Sequence, residues 1–335
     1  MEKQVLEKWR EIYYYASVIL KLDPWSRFGE RDLFIMACRG SEEEHFFTFL
    51  YESCGVHGIA LYRTAHACFA AQERLHSPNR KKEPVFQIQD AIIFWLGDRE
   101  DVSKENYSLI KELGIQCRGR GAWPFFEQYR CGYMPRAVSE DQLDVLLDDM
   151  GNLQMMVRAI VEQNLVVDFA HGQVVARFYS EDQDQYFTFE TNLNGPRKPV
   201  YPVIELREMR ILNDLAAMPS KGKVCLDWSY LPTVMKEGKE RIIPRLVLIV
   251  DSQSGLILKN VLLAPKEYPV THVFDILVDL CQERGKPAEI QICDEELKSG
   301  LEDFCKKTNI KLTMRKQLNK LTTARNFVLE QIKRQ

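Results

Sequence analysis

The sequence predicts an α+β domain followed by an α/β domain with a mixed sheet and the element order β-β-β-α-β-α-β-α. Three observations predict it. A length of 335 residues suits two domains rather than one. The last third alternates short apolar runs with helical stripes, the pattern of strands joined by helical crossovers. The first half mixes strand-like runs with two long amphipathic helices. The expected divisions are 1–165 for the α+β domain, 166–221 for a hairpin and connecting segment, and 222–335 for the α/β domain.

The elements of the first domain follow in order. Val5, Leu6, Trp9, Ile12, Tyr13, Ala16, Ile19 and Leu20 form one helical stripe, which "DPW" at 23–25 stops, because a residue before proline avoids helical backbone. "DLFIMAC" (32–38) reads as a strand. "EHFFTFLYES" suits a strand or a helix, and "GIALYRT" a strand, with a turn "CGVHG" between them. "HACFAAQERL" reads as a helix, 76–84 as a polar loop, and "DAIIFWLG" (90–97) as a buried strand. "SKENYSLIKELG" (103–114) is a capped helix that ends at glycine, and "FFEQYRCGYMPR" is strand-like. The strongest helix spans 139–163, with Ser139 and Gln142 as a capping box and Gly151 interrupting its stripe. "GQVVARFYS" and "DQYFTFETNL" form a hairpin, "GPRKPVYP" a linker, and "VIELREMRILNDLAAMPSKGK" a strand and then a helix.

In the α/β domain the strands are "VCLDWSYL", "RLVLIVD", "LILKNVLL", "EIQICD" and "KLTMRK". "LVLIV" is apolar on both faces, as a central strand is. The helices are "THVFDILVDLCQERG", "ELKSGLEDFCKKTN" and "LTTARNFVLEQIKRQ".

Composition narrows the functional classes. The hydrophobic fraction of 45% and charged fraction of 28% are those of an ordinary soluble globular protein. The net charge of −3 gives no overall basic excess, so contact with nucleic acid needs a local patch. No apolar run approaches the roughly 20 residues of a membrane helix, and "MEKQVLEKWREIYYY" lacks a signal peptide's apolar core. The nine cysteines form no C-x-x-C pair, which argues against zinc and for reduced thiols packed as small apolar side chains. The cytoplasm is the expected location.

One polar residue interrupts the strand pattern: Asp227, inside "VCLDWSYL". A buried carboxylate is costly unless it is hydrogen-bonded, paired or metal-bound. The element order, with "CLDWSYL", "LIVDSQSG" and "RGKPAEIQICDEEL", resembles the ribonuclease-H-like core of retroviral-type integrases and transposases over residues 222–335. The resemblance implies that Asp227 and Asp294 are the first and second catalytic acids, that Asp251 is not a ligand, and that a glutamate on the last helix completes the set. The local pattern sets that glutamate at 322–324, where the chain has Thr-Thr-Ala. Glu330, with 35 residues between it and Asp294, is the candidate in its stead. Such acids would hold Mg²⁺ or Mn²⁺, since hard cations take oxygen ligands. "WREIYYYASVILKLDPW", "DLFIMAC" and "PRLVLIVDSQSG" together also resemble a two-domain group of bacterial proteins of unknown function, which implies no activity.

The bland reading of these acids is structural. Asp227 then bonds neighbouring backbone or Arg245, and Asp294 caps the helix that starts at Glu295. The expectation is a ribonuclease-H-like domain without catalysis, serving binding or scaffolding. The alternative is a divalent-metal-dependent nuclease or polynucleotidyl transferase using Asp227, Asp294 and Glu330. Residues 306–335 carry nine cations against Glu330 alone. Lys311, Arg315, Lys316, Lys320 and Arg325 are the candidate contacts to nucleic-acid phosphates, unless they solvate a helix face. "CRGRGAWP" reads as a loop, His57 and His66 as core or surface residues, and Met155-Met156 as core.

Overall fold

The computed structural model describes residues 2–40, 42–51, 57–76, 90–193, 195, 197–238, 240–267 and 269–333. The loop expected at 76–84 and much of the turn expected at 54–58 lie outside these residues. The chain divides into two units, each built on a mixed sheet. One comprises Met1–Cys131 and Pro135–Pro199, the other Gly132–Met134 and Val200–Gln335.

The first unit holds strands β1 (Phe34–Ala37), β2 (Glu44–Tyr51), β3 (His57–Tyr62), β4 (Ala91–Gly97), β5 (Trp123–Tyr129), β6 (Arg136–Ala137), β7 (Gln173–Ser180) and β8 (Gln185–Asn192). They form one sheet in the order β6-β5-β4-β3-β2-β1-β7-β8. Only β1 and β7 pair in parallel among its described pairs. β2 is a strand and not a helix, because it is central and its residues Phe46–Leu50 are buried on both faces.

Helices α1 (Lys3–Lys21) and α4 (Leu143–Val161) pack on one another, and α4 also packs on β1 and β7. Asp149 of α4 meets His45, which sets α4 on the β2 face of His45, Phe47 and Phe49. Phe46 and Phe69 stack edge to face, so α2 (Ala65–His76) covers the opposite face. Gly151 lies where α4 approaches α1: a Cβ there would stand 3.3 Å from the Tyr15 ring. Helix α3 (Lys104–Glu112) is capped as expected, with Ser103 Oγ accepting from the Asn106 N–H at 3.1 Å.

Three expectations need correction. The expected hairpin forms at 173–192, but β7 also pairs with β1, so the hairpin extends the first sheet. A parallel partner distant in sequence leaves no local signature; the division between the two units falls at 199–200. Ser139 makes no capping bond: a 3₁₀ turn, Glu140–Gln142, precedes α4. No strand forms at 203–208. That stretch is tied to a helix of the second unit, with Leu206 N–H donating to Asp303 and Leu206 C=O accepting from Lys307.

The second unit has strands β9 (Lys223–Tyr230), β12 (Arg245–Asp251), β13 (Ile257–Leu263), β14 (Glu289–Ile292) and β15 (Lys311–Met314) in the order β13-β12-β9-β14-β15. β12 runs antiparallel to β9 and β13, while β14 runs parallel to β9 and β15. A separate hairpin joins β10 (Met235–Glu237) to β11 (Glu240–Ile242). The helices are α5 (Met209–Ala217), α6 (Thr271–Arg284), α7 (Glu295–Thr308) and α8 (Asn319–Lys333). Leu318, Leu321 and Ala324 at α8 bury against Cys225, Leu246, Leu248 and Val250, so α8 covers one face of β9 and β12. Lys286, buried at the start of the segment leading into β14, donates to the Ala216 and Thr308 carbonyls, so the loop is fixed to α5 and α7.

Candidate functional site

Asp227 pairs across the sheet with Leu248, so its side chain shares the α8 face. It is 9% exposed. Arg245 pairs with Tyr230 on the other face, where its guanidinium bonds the Tyr230 hydroxyl at 2.9 Å. There it also lies over the Trp228 and Tyr230 rings at 4.5 and 4.6 Å. The suggestion that Asp227 bonds Arg245 therefore fails: strand alternation separates them. Asp294 takes the capping role, its Oδ1 accepting from the Leu297 N–H at 2.8 Å at the start of α7. Asp251 closes a turn, accepting from the N–H groups of Gln253 and Ser254 and from the Ser254 hydroxyl. The Ser254 bonds hold its carboxyl below the usual range.

Glu330 is an exposed residue of α8. Among the described residues no three His, Cys, Asp or Glu side chains are grouped to hold a metal ion. Asp227, Asp294 and Glu330 thus do not gather at one point, and the three-acid Mg²⁺ or Mn²⁺ site does not fit the residues present.

The expected phosphate contacts divide. Lys311, Lys316 and Lys320 are exposed on and beyond the edge strand β15. Arg315 is also exposed, but its guanidinium pairs with Glu289 at 3.5 Å. Arg325 turns partly inward, with Nε buried and without a hydrogen-bond partner among the described residues. Glu289 is held further by Lys223 at 3.0 Å and Gln291 at 3.1 Å. These bonds, that of Lys223 foremost, lower its carboxyl to about 2.

A second constellation lies in the first unit and was missed in the sequence. His45 Nδ1 stands 2.6 Å from Asp149 Oδ1, and Arg63 reaches Asp149 Oδ2 at 3.0 Å. Arg63 also stands 3.3 Å from His45 Nδ1, so the three side chains form one cluster. The charge of Asp149 also reaches its neighbours. Burial, and next Asp149, raises the Asp148 carboxyl, while burial and then Asp149 push the Cys38 thiol up to about 11. His45 and Arg63 line a cleft of about 530 Å³ together with Glu42, Glu44, Asp141 and Gln142. A clue was present in the sequence: His45 and Asp149 are polar interruptions of an apolar strand and an apolar helical stripe, as Asp227 is.

The family profile described as "Domain of unknown function (DUF7309)" matches residues 9–177, about half of the chain. The chain belongs to that family. A second profile, "Domain of unknown function (DUF6930)", matches residues 209–329. No curated protein matches the chain. The integrase catalytic core domain of HTLV-2 in complex with magnesium, in its trimeric form, is similar at 17% identity over 33% of this chain and 68% of that one, with a TM-score of 0.25. Its dimeric form gives a TM-score of 0.24 at 17% identity over 33% and 67%. The simian T-cell lymphotropic virus intasome in complex with the PP2A regulatory subunit B56 gamma gives 0.24 at 17% identity over 32% and 39%. No helix among the described residues is long and apolar enough to cross a membrane.

Proposed function

We propose that the second unit is a ribonuclease-H-like domain that has kept the fold without the catalytic acid set, and that it binds nucleic acid through its basic edge. The strand order β13-β12-β9-β14-β15 supports the fold reading, since it sets the expected first and fourth strands side by side. One observation carries the functional reading: Asp294 is engaged at the α7 N-terminus while exposed lysines crowd the edge strand of the same sheet. Lys311, Lys316 and Lys320 have no carboxylate partner among the described residues, so phosphates would meet them without first breaking an ion pair. The alternative, a divalent-metal-dependent nuclease or transferase, rests on Asp227 alone, the buried acid on the α8 face.

Fluorescence anisotropy with a labelled 20-base-pair duplex tests the reading. The expected result is binding that weakens steeply with salt, and a Lys311→Glu/Lys316→Glu/Lys320→Glu variant that loses about tenfold or more in affinity. Equal affinity of the variant and the wild type would overturn it.

A further inference from the structure

Strand β8 ends the first sheet: among the described strands it has β7 on one side and none on the other. Edge strands are ordinarily guarded against further pairing by lysine, proline, a bulge or short length. β8 has none of these guards. It runs eight residues, "QYFTFETN", without lysine, arginine, proline or glycine, and it pairs with β7 without a break in register from Gln185 to Asn192. No residue of it is fully buried. Its two faces differ. Thr188 shares the α4 face with Arg177, which donates to the Thr188 hydroxyl at 2.7 Å and to Asn152 of α4 at 2.8 Å. The other face is aromatic. The Phe178 ring lies 5.7 Å from that of Phe187 and 5.3 Å from that of Phe189, and Phe178 is 39% exposed.

The strand that complements β8 is a second copy of itself. Phe187 and Phe189 flank Thr188, so the strand reads alike in both directions from that residue. Two antiparallel copies centred on Thr188 set Phe187 opposite Phe189 of the second copy, and Thr188 opposite Thr188. They also set Tyr186 opposite Glu190, the one charged residue of the strand, whose carboxylate can accept from the phenol. Charge selects this register. Centring on Phe187 would set Glu190 against Asp184, and centring on Glu190 would set that carboxylate against its own copy. Centring on Phe189 would set Phe187 against Thr191 and break the aromatic row. We infer that β8 is a dimer interface, through which two chains join about a two-fold axis at Thr188 into one continuous sheet. The phenyl rings of Phe178, Phe187 and Phe189 from both chains then form one apolar patch across the axis.

The test is light scattering of the 335-residue chain over a range of concentrations. A concentration-dependent species of twice the mass of one chain is expected. Thr188→Glu keeps an acceptor for Arg177 within the hairpin but sets two carboxylates face to face on the axis, and it should weaken the dimer at least about tenfold. Thr188→Cys under mild oxidation should give a dimer linked through residue 188, read by mass spectrometry of the joined peptides. Gln185→Cys should not, because Gln185 faces Thr191 in this register. Cysteine is close to threonine in size, so the cross-link decides the matter even where Thr188→Glu fails to fold. A chain that stays monomeric throughout overturns the inference. So does a dimer that Thr188→Glu leaves intact, or a Thr188→Cys variant that cross-links no better than Gln185→Cys, since either sets the contact elsewhere.

Discussion

His45 Nδ1 and Asp149 Oδ1 meet at 2.6 Å across 104 residues of sequence, both side chains buried. Removing one partner of a buried hydrogen-bonded pair leaves the other unsatisfied. Asp149→Ala strands Arg63 and removes the His45 acceptor, and should lower stability by about 3 kcal/mol in urea denaturation. His45→Phe leaves Asp149 paired with Arg63 and should cost about 1–2 kcal/mol. Equal losses would contradict this ordering.

Asp294 caps the N-terminus of α7 through its Oδ1. Asp294→Ala should therefore cost about 1 kcal/mol, and Asp294→Ser, which can still accept from the Leu297 N–H, much less. Thermal melts of the two variants distinguish them. A Ser variant as unstable as the Ala variant would refute the cap.

Glu289 titrates below its ordinary range because Lys223, Gln291 and Arg315 bond its ionised form. A carboxyl lowered on folding stabilises above its unfolded value of 4.5 and loses that contribution as pH falls toward about 2. Stability should thus decline through this acid window by on the order of 2 kcal/mol, allowing for solvent screening. In Glu289→Gln the decline should be shallower by that amount. Parallel curves would refute the assignment.

Gly300 lies inside α7, where a Cβ would stand 2.5 Å from Val270 Cγ1. Alanine is ordinarily the better helix former by about 1 kcal/mol, yet Gly300→Ala should destabilise by about 2 kcal/mol through overpacking. Adding Val270→Ala should recover part of the loss. A double variant less stable than the sum of the single changes would show that the clash is not the cause.

Strands whose burial is local were legible in the sequence. "LVLIV" is a central strand, and the helix at 103–114 carries its Ser103 cap. Long-range pairing was not legible. The hairpin at 173–192 joins the first sheet only because β7 lies beside β1, with Phe34 paired to Val175, 175 − 34 = 141 positions on. Asp227 was identified as a polar intrusion in a strand, but alternation, and not sequence distance, decides that Arg245 faces away from it. His45, Arg63 and Asp149 were missed because their spacings of 18 and 104 residues match no motif. Only the fold brings them together.

The central proposal, that the second unit lacks a working acid site, is tested most directly by calorimetric titration of Mn²⁺ into the wild type beside Asp227→Asn. The account predicts no saturable metal binding that depends on Asp227. A saturable site in the wild type that disappears in Asp227→Asn would contradict it and make that carboxylate a metal ligand.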